Sequence, residues 1–177
     1  ATGAVGCNIE DSQPSTRRLV DAHEQADFLG AVRESARAAG IDLVINARID
    51  VFLDGVFPDG VIPDGALPDG VEVEADPTTA RLDEAIRRAR LYVAAGADCV
   101  YPIRMTSAAD IRAIVNETGA PVNILAAPDT PTVAELAALG VARVSFGAGL
   151  YRLAYKHVRE FVAGVAASLV GPPSRDR

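Results

Sequence analysis

Lysine is almost missing from this chain. Lys156 is the only one, and every other Lys/Arg position is arginine. Schiff-base catalysis needs a lysine amine at the reaction centre. Lys156 falls inside a late helical stretch, away from any strand end, which argues against a class I aldolase mechanism. Tryptophan is absent and aromatic residues make up only 5%, so no base-stacking platform is on offer. Cysteine is scarce: Cys7 and Cys99 stand far apart and form no CxxC pair. That excludes a disulfide scaffold and a zinc ribbon and leaves a reducing, cytoplasmic setting as the expectation. No apolar run approaches the roughly 18 residues of a membrane span, and the first residues lack the charged start of a signal peptide. The net charge of −7 argues against a nucleic-acid groove. Small molecules or other protein chains are the expected partners.

What remains is a 177-residue chain, 49% hydrophobic and 23% charged, of a length suited to one domain with a sizeable core. Short apolar runs alternate with amphipathic ones. The pattern predicts strands over 5–9, 43–49, 99–103, 122–125 and 141–146. It predicts helices over 28–39, 79–95, 107–118, 132–139 and 150–169, the first four closed by Gly40, Gly96, Gly119 and Gly140. Five consecutive strand–helix units imply parallel strands with right-handed crossovers. The strands are nearly all apolar, as parallel strands covered on both faces should be. Two α/β architectures fit, a doubly wound open sheet or part of a (β/α)8 TIM barrel. No GxGxxG opens the first helix, which removes support for a dinucleotide-binding sheet.

One segment breaks this rhythm. Residues 54–70 repeat a five-residue unit (DGVFP, DGVIP, DGALP, then DG) too rich in proline and glycine for helix or regular sheet. Within the domain at 1–170 the expectation is a solvated insertion over 54–76, followed by a loose tail at 171–177. A lid or subunit contact is the alternative, because Val56, Phe57, Ile62 and Leu67 recur within it. Calcium binding ranks last, since a spacing of five matches no EF-hand loop.

Strand alternation sorts the polar residues. Asn8 and Glu10 share a face of the first strand; Asn46 and Arg48 share a face of the second; Asn123 is the polar residue of the fourth; Arg143 and Ser145 share a face of the fifth. If those faces line a barrel, Glu10, Arg48, Asn123 and Ser145 gather at the C-terminal mouth, where barrel active sites lie. The competing reading of Glu10 and Arg48 is a structural ion pair across adjacent strands, and Asn46 and Asn123 could simply satisfy backbone groups. Asp11 and Asp50 fall on the helix-facing parity or just beyond the strand ends, and read as loop or cap residues rather than catalysts. His23 reads as a surface residue in the loop before the first helix, His157 as a surface or subunit-contact residue, and the cysteines as small core residues. Gly147 and Gly149 could seat a phosphate before the last helix.

These residues also carry a resemblance. GCNIEDS at 6–12 and INARID at 45–50 resemble two successive strands of the isocitrate lyase/phosphoenolpyruvate mutase superfamily, and AAGADCV, PVNIL and AELAALGVARVS follow in that family's order. The resemblance spans nearly the whole chain apart from the insertion. It implies a (β/α)8 barrel of which this chain holds strands 4–8. It also implies a homo-oligomer, a tetramer or a dimer, in which the last helix is exchanged. The implied chemistry is a magnesium-dependent lyase, hydrolase or mutase, with manganese as the alternative ion. It would act on a small anionic 2-oxo or 2-hydroxy acid, oxaloacetate- or phosphonopyruvate-like, through an enolate while a C–C or P–C bond breaks or forms. By the same resemblance Glu10 reaches the metal, through water. Arg48 grips a carboxylate or phosphonate, as its planar fork suits. Asn123 hydrogen-bonds the substrate, and Ser145, from its place at the mouth, is expected to bind it too.

Two departures qualify that picture. The loop after the first strand, SQPSTRR at 12–18, lacks the cysteine of the isocitrate and methylisocitrate lyases, so cleavage of those substrates is not expected; Arg17 and Arg18 could replace the basic groups of the phosphonomutase branch. The family's first three strands and their metal-binding aspartates are also missing from the sequence. A barrel typically needs about 250 residues, so the natural protein is expected to continue upstream by roughly 75–85 residues. The rival readings are a non-catalytic half-barrel serving as a binding or assembly module, and a metal-independent barrel enzyme that seats a phosphate.

Overall fold

The structure, a computed structural model, describes residues 3–16, 18–53 and 77–169. Arg17, the insertion at 54–76 and the tail at 171–177 lie outside the described residues, and with them the expectations attached to each. Five strands alternate with five helices: β1 (Gly6–Glu10), α1 (Ala22–Ala38), β2 (Val44–Ile49), α2 (Pro77–Ala94), β3 (Cys99–Pro102), α3 (Ala108–Thr118), β4 (Asn123–Leu125), α4 (Val133–Ala138), β5 (Arg143–Ser145) and α5 (Gly149–Leu169). The chain forms two compact units, Ala1–Ser145 and Phe146–Arg177.

In the first unit every strand pair is parallel. The strands lie in the order β1-β2-β3 and β4-β5, and a parallel bridge between Val100 and Val122 joins the two groups. Spatial order therefore follows chain order, with none of the reversal that defines a doubly wound sheet. The pleat sends Ile45, Ala47 and Ile49 of β2 into a fully buried core with Leu29 of α1 and Ala85, Ala89 and Tyr92 of α2. Asn46 and Arg48 are left on the opposite face.

Local signals set the helix ends. Helix α1 begins at Ala22 rather than at 28, because the Asp21 carboxylate accepts the backbone N–H groups of His23 and Glu24 and caps it. Apolar periodicity alone does not register this polar first turn. Ser107 caps α3 through the Asp110 N–H, and Gly119 ends it in the left-handed conformation. Thr132 and Glu135 form a reciprocal capping box at α4.

The end of the sheet where the strands begin is held by one buried arginine. Arg33 of α1 donates to the carbonyls of Leu43 (2.5 Å) and Gly96 (2.9 and 3.1 Å) and pairs with Asp98. Asp98 in turn accepts the Ile45 N–H at 2.7 Å. Gly96, at φ 106°, lies so close that an added Cβ would sit 3.1 Å from the Arg33 side chain.

The second unit is helix α5. None of its residues is buried. Leu150, Leu153, Val158, Phe161, Val162, Val165 and Leu169 are all exposed, and Tyr151 stacks on Tyr155 with ring centroids 6.0 Å apart. Among the described residues no helix is long and apolar enough to cross a membrane.

Candidate active site

Parallel register places Glu10 of β1 opposite Arg48 of β2, and Arg48 opposite Tyr101 of β3. Two residues earlier, Asn8, Asn46 and Cys99 form a matching row. The faces predicted from alternation are therefore shared across the first three strands, with the charged row nearest the strand ends.

Arg48 is gripped by two carboxylates. Its Nε donates to Asp50 Oδ1 at 2.6 Å and its Nη2 to Asp50 Oδ2 at 3.1 Å, a two-point alignment. Nη2 also reaches Glu10 Oε2 at 2.6 Å. Burial works against the guanidinium charge, but the Asp50 hydrogen bonds and the charges of Asp50 and Glu10 outweigh it and hold Arg48 above its ordinary pKa. The cross-strand ion pair is thus present, and Asp50 is its third member.

Asp11 and Asp50 lie just beyond the ends of β1 and β2, as expected, and both are completely buried. Asp50 accepts the Ser12 hydroxyl, and its own backbone N–H donates to Asp11 Oδ1 at 2.8 Å. Asp11 Oδ2 accepts Arg88 Nη1 at 3.0 Å and the Tyr92 hydroxyl at 2.7 Å, while Arg88 Nη1 also donates to the Tyr92 oxygen at 2.9 Å. Arg88 Nε continues to Glu84 at 2.6 Å. Glu84, Arg88 and Tyr92 follow one another at four-residue spacing on α2 and so share one face. Burial pushes the Asp11 carboxyl above the usual range, against the pull of Arg88, Tyr92 and the Asp50 N–H. Burial, together with Asp11, also raises the Tyr92 phenol. Sequence reasoning misses all of these partners, although a polar stripe on an otherwise inward helix face is the available signal.

The neutral residues meet further along the sheet. Asn123 of β4 donates through Nδ2 to Ser145 Oγ at 3.4 Å, and Ser145 donates to the Tyr101 hydroxyl at 3.1 Å. Tyr101 is a further residue that sequence reasoning misses, yet it is in register with Arg48 and is the partner of Ser145. Asn46 donates to Asn8 at 2.8 Å. The Oδ1 atoms of Asn46 and Asn123 are buried with no hydrogen-bond partner among the described residues, which leaves two acceptors able to take a donor. Of the four predicted site residues, the structure pairs Glu10 with Arg48 and Asn123 with Ser145, with Tyr101 as the common neighbour.

The remaining expectations divide. Burial raises the thiol pKa of both Cys7 and Cys99, which suits small packing residues. His23 is exposed, but in the first turn of α1 rather than in a loop. His157 is exposed on α5, 3.8 Å from Glu160. Gly149 opens α5.

Among the described residues no group of three His, Cys, Asp or Glu side chains could hold a metal ion. Asp11 and Asp50 are committed to arginines, and the half-exposed Glu10 is one donor, short of the six or more oxygens a hard divalent cation takes. The described residues alone therefore do not constitute a metal centre. They do present an aligned guanidinium, a carboxylate and a wall of neutral hydrogen-bonding groups, a set suited to a small anion with further oxygen functions.

Comparison with known proteins finds relatives for most of the chain. An uncharacterized protein of Mycobacterium tuberculosis (strain CDC 1551) is 32% identical over 156 residues, covering 85% of this chain and 49% of its own length. The chain thus spans about half the length of the curated relatives it matches. The crystal structure of a protein assigned as a phosphonomutase from Burkholderia cenocepacia superposes with a TM-score of 0.75 at 40% identity, covering 92% of this chain and 58% of that one. The structure of a phosphonopyruvate hydrolase matches with a TM-score of 0.68 at 25% identity, covering 94% and 52%. Residues 1–166 match the family described as phosphoenolpyruvate phosphomutase. That match covers most of the chain, and the chain belongs to this family.

Proposed function

We propose that this chain forms strands 4–8 of a (β/α)8 barrel and carries the anion-binding half of an enzyme active site. The substrate is a small 2-oxo or 2-hydroxy acid of the oxaloacetate or phosphonopyruvate kind, and the reaction breaks or forms a C–C or P–C bond next to an enolate. The observation that carries this reading is the Arg48 fork, aligned by Asp50 beside Glu10 at the ends of adjacent parallel strands. Strand ends on this side are where barrel chemistry is done.

Arg48 holds a carboxylate or phosphonate group. Its Nε and Nη2 face Asp50 and Glu10, so Nη1 is the nitrogen directed to the substrate. Ser145, Tyr101 and the Asn123 amide hydrogen-bond the substrate's uncharged oxygens and favour the oxygen on which negative charge develops. A magnesium ion, or manganese in its place, would neutralise enolate charge when bound. Glu10 would be one of its donors, the rest coming from outside the described residues. The exposed apolar side chains of α5 support a homo-oligomer in which that helix is exchanged between subunits. The absence of a cysteine from residues 12–18 favours the phosphonomutase-like branch over the isocitrate-cleaving one.

The test is a substrate screen with magnesium covering oxaloacetate, phosphonopyruvate, alkylated malates and methylisocitrate. Turnover of one of the first three that is lost in Arg48→Ala supports the reading. Turnover of methylisocitrate above about one per second contradicts the branch, and turnover that survives Arg48→Ala contradicts the site.

A further inference from the structure

The Asp11–Arg88–Tyr92 cluster lies behind the candidate site and meets it through the Asp50 backbone. Asp11 and Tyr92 are completely buried and Arg88 nearly so. Burying an aspartate and an arginine costs several kcal/mol of desolvation per ion, and an apolar trio of similar volume is often as stable or more so. Packing is therefore a poor reason for these three residues, and their connections offer a better one.

Asp11 follows Glu10 directly, and its Oδ1 holds the backbone N–H of Asp50 at 2.8 Å. Asp50 in turn fixes Nε and Nη2 of Arg48. Asp11 is thereby one link between the ends of β1 and β2, beside Ser12 and Glu10, and its other oxygen is held from α2 by Arg88 and Tyr92. Arg88 is itself fixed by Glu84 one turn earlier. Hydrogen bonds thus run from the second half of α2 through Asp11 to the Asp50 backbone, and from the Asp50 carboxylate to the Arg48 guanidinium.

We propose that Tyr92 and Arg88 are positioning residues, which act through Asp11 and the Asp50 backbone to set the angle of the Arg48 fork. The inference rests on the reading of Arg48 as the substrate's anion clamp, and it adds two residues of α2 to that function. The Tyr92 hydroxyl is the most specific element, because it can be removed without changing the ring that fills the core.

The experiment compares wild-type protein with Tyr92→Phe by two readouts. The first needs no ligand. The 15N-detected Nε–H resonance of Arg48, identified by its loss in Arg48→Lys, reports the bond to Asp50. It should shift or broaden in Tyr92→Phe. The second is calorimetric titration with oxalate in excess magnesium, where Tyr92→Phe should bind about tenfold more weakly, the worth of one misaligned charged hydrogen bond. The melting temperature should stay within a few degrees. An unchanged Arg48 resonance in folded Tyr92→Phe overturns the proposal, as does a lowered melting temperature with unchanged resonance and affinity. If Tyr92→Phe does not fold, Arg88→Lys is measured in its place: a shifted Arg48 resonance supports the proposal and an unchanged one overturns it. Wild-type protein that fails to bind oxalate counts against the substrate-class reading alone, and the resonance still decides whether Tyr92 sets Arg48.

Discussion

The two ends of the sheet solve the problem of polar groups near a core in opposite ways. At the ends of β1 and β2, four acidic or basic side chains (Glu10, Asp11, Arg48 and Asp50) sit within two short stretches of chain, and each is joined to a side chain of opposite type or a backbone N–H. At β4 and β5 no carboxylate enters the cluster. Asn123, Ser145 and Tyr101 make longer, neutral bonds of 3.1–3.4 Å and leave an acceptor open. A saturated charged network holds one geometry, because each removed partner strands a buried ion. A neutral, under-bonded one can exchange partners as a ligand changes. On the proposed function, the β1–β2 side would set orientation and the β4–β5 side would adjust to the reacting oxygen.

The largest expected effect is on the charged side. Asp11→Ala leaves the buried Arg88 Nη1 without its carboxylate, with Glu84 holding only Nε, and should cost about 3 kcal/mol of stability, read as a lower midpoint in urea unfolding. A loss below about 1 kcal/mol would show that the network behaves like a surface pair. On the neutral side, Ser145→Ala should change stability little and lower kcat/KM by roughly 5–10-fold, one ordinary hydrogen bond. A loss as large as that of Arg48→Ala would erase the division of labour. The smallest effect concerns pH. Burial tends to raise the Glu84 carboxyl, but the hydrogen bonds from Arg87 and Arg88 prevail and hold it below its ordinary value of 4.5. A depressed carboxyl stabilises the fold fully above the unfolded pKa and loses that contribution as pH falls through the lower folded value. Melting temperature should therefore drop as pH falls below 4.5, and Glu84→Gln should flatten that part of the curve. An identical slope in the variant would remove Glu84 from the network.

The fold is legible in the sequence because its signals are local. Apolar runs, glycine stops and capping residues such as Ser107 and Thr132 act within a turn or two, and all ten elements appear close to their expected places. Alternation also assigns Glu10 and Arg48 to a common row. Alternation and strand ends place Asp11 and Asp50 just past their strands but do not show that both are buried. Their burial depends on Arg88 and Tyr92, which lie 77 and 81 residues from Asp11. No local pattern reveals a partner at that separation. Tyr101 escapes for a related reason: in an apolar strand a tyrosine reads as core until the register sets it opposite Arg48.

The central claim is that Arg48 works through the geometry of its fork rather than through its charge alone. Calorimetric titration of oxalate, in excess magnesium, into wild-type protein, Arg48→Lys and Arg48→Ala tests it most directly. Arg48→Ala should lose roughly 2–4 kcal/mol of binding free energy with the fold intact, and Arg48→Lys should already bind far more weakly than wild type, since an ammonium cannot make the two-point contact with Asp50. Wild-type affinity in Arg48→Lys, or unchanged affinity in Arg48→Ala, would contradict the account.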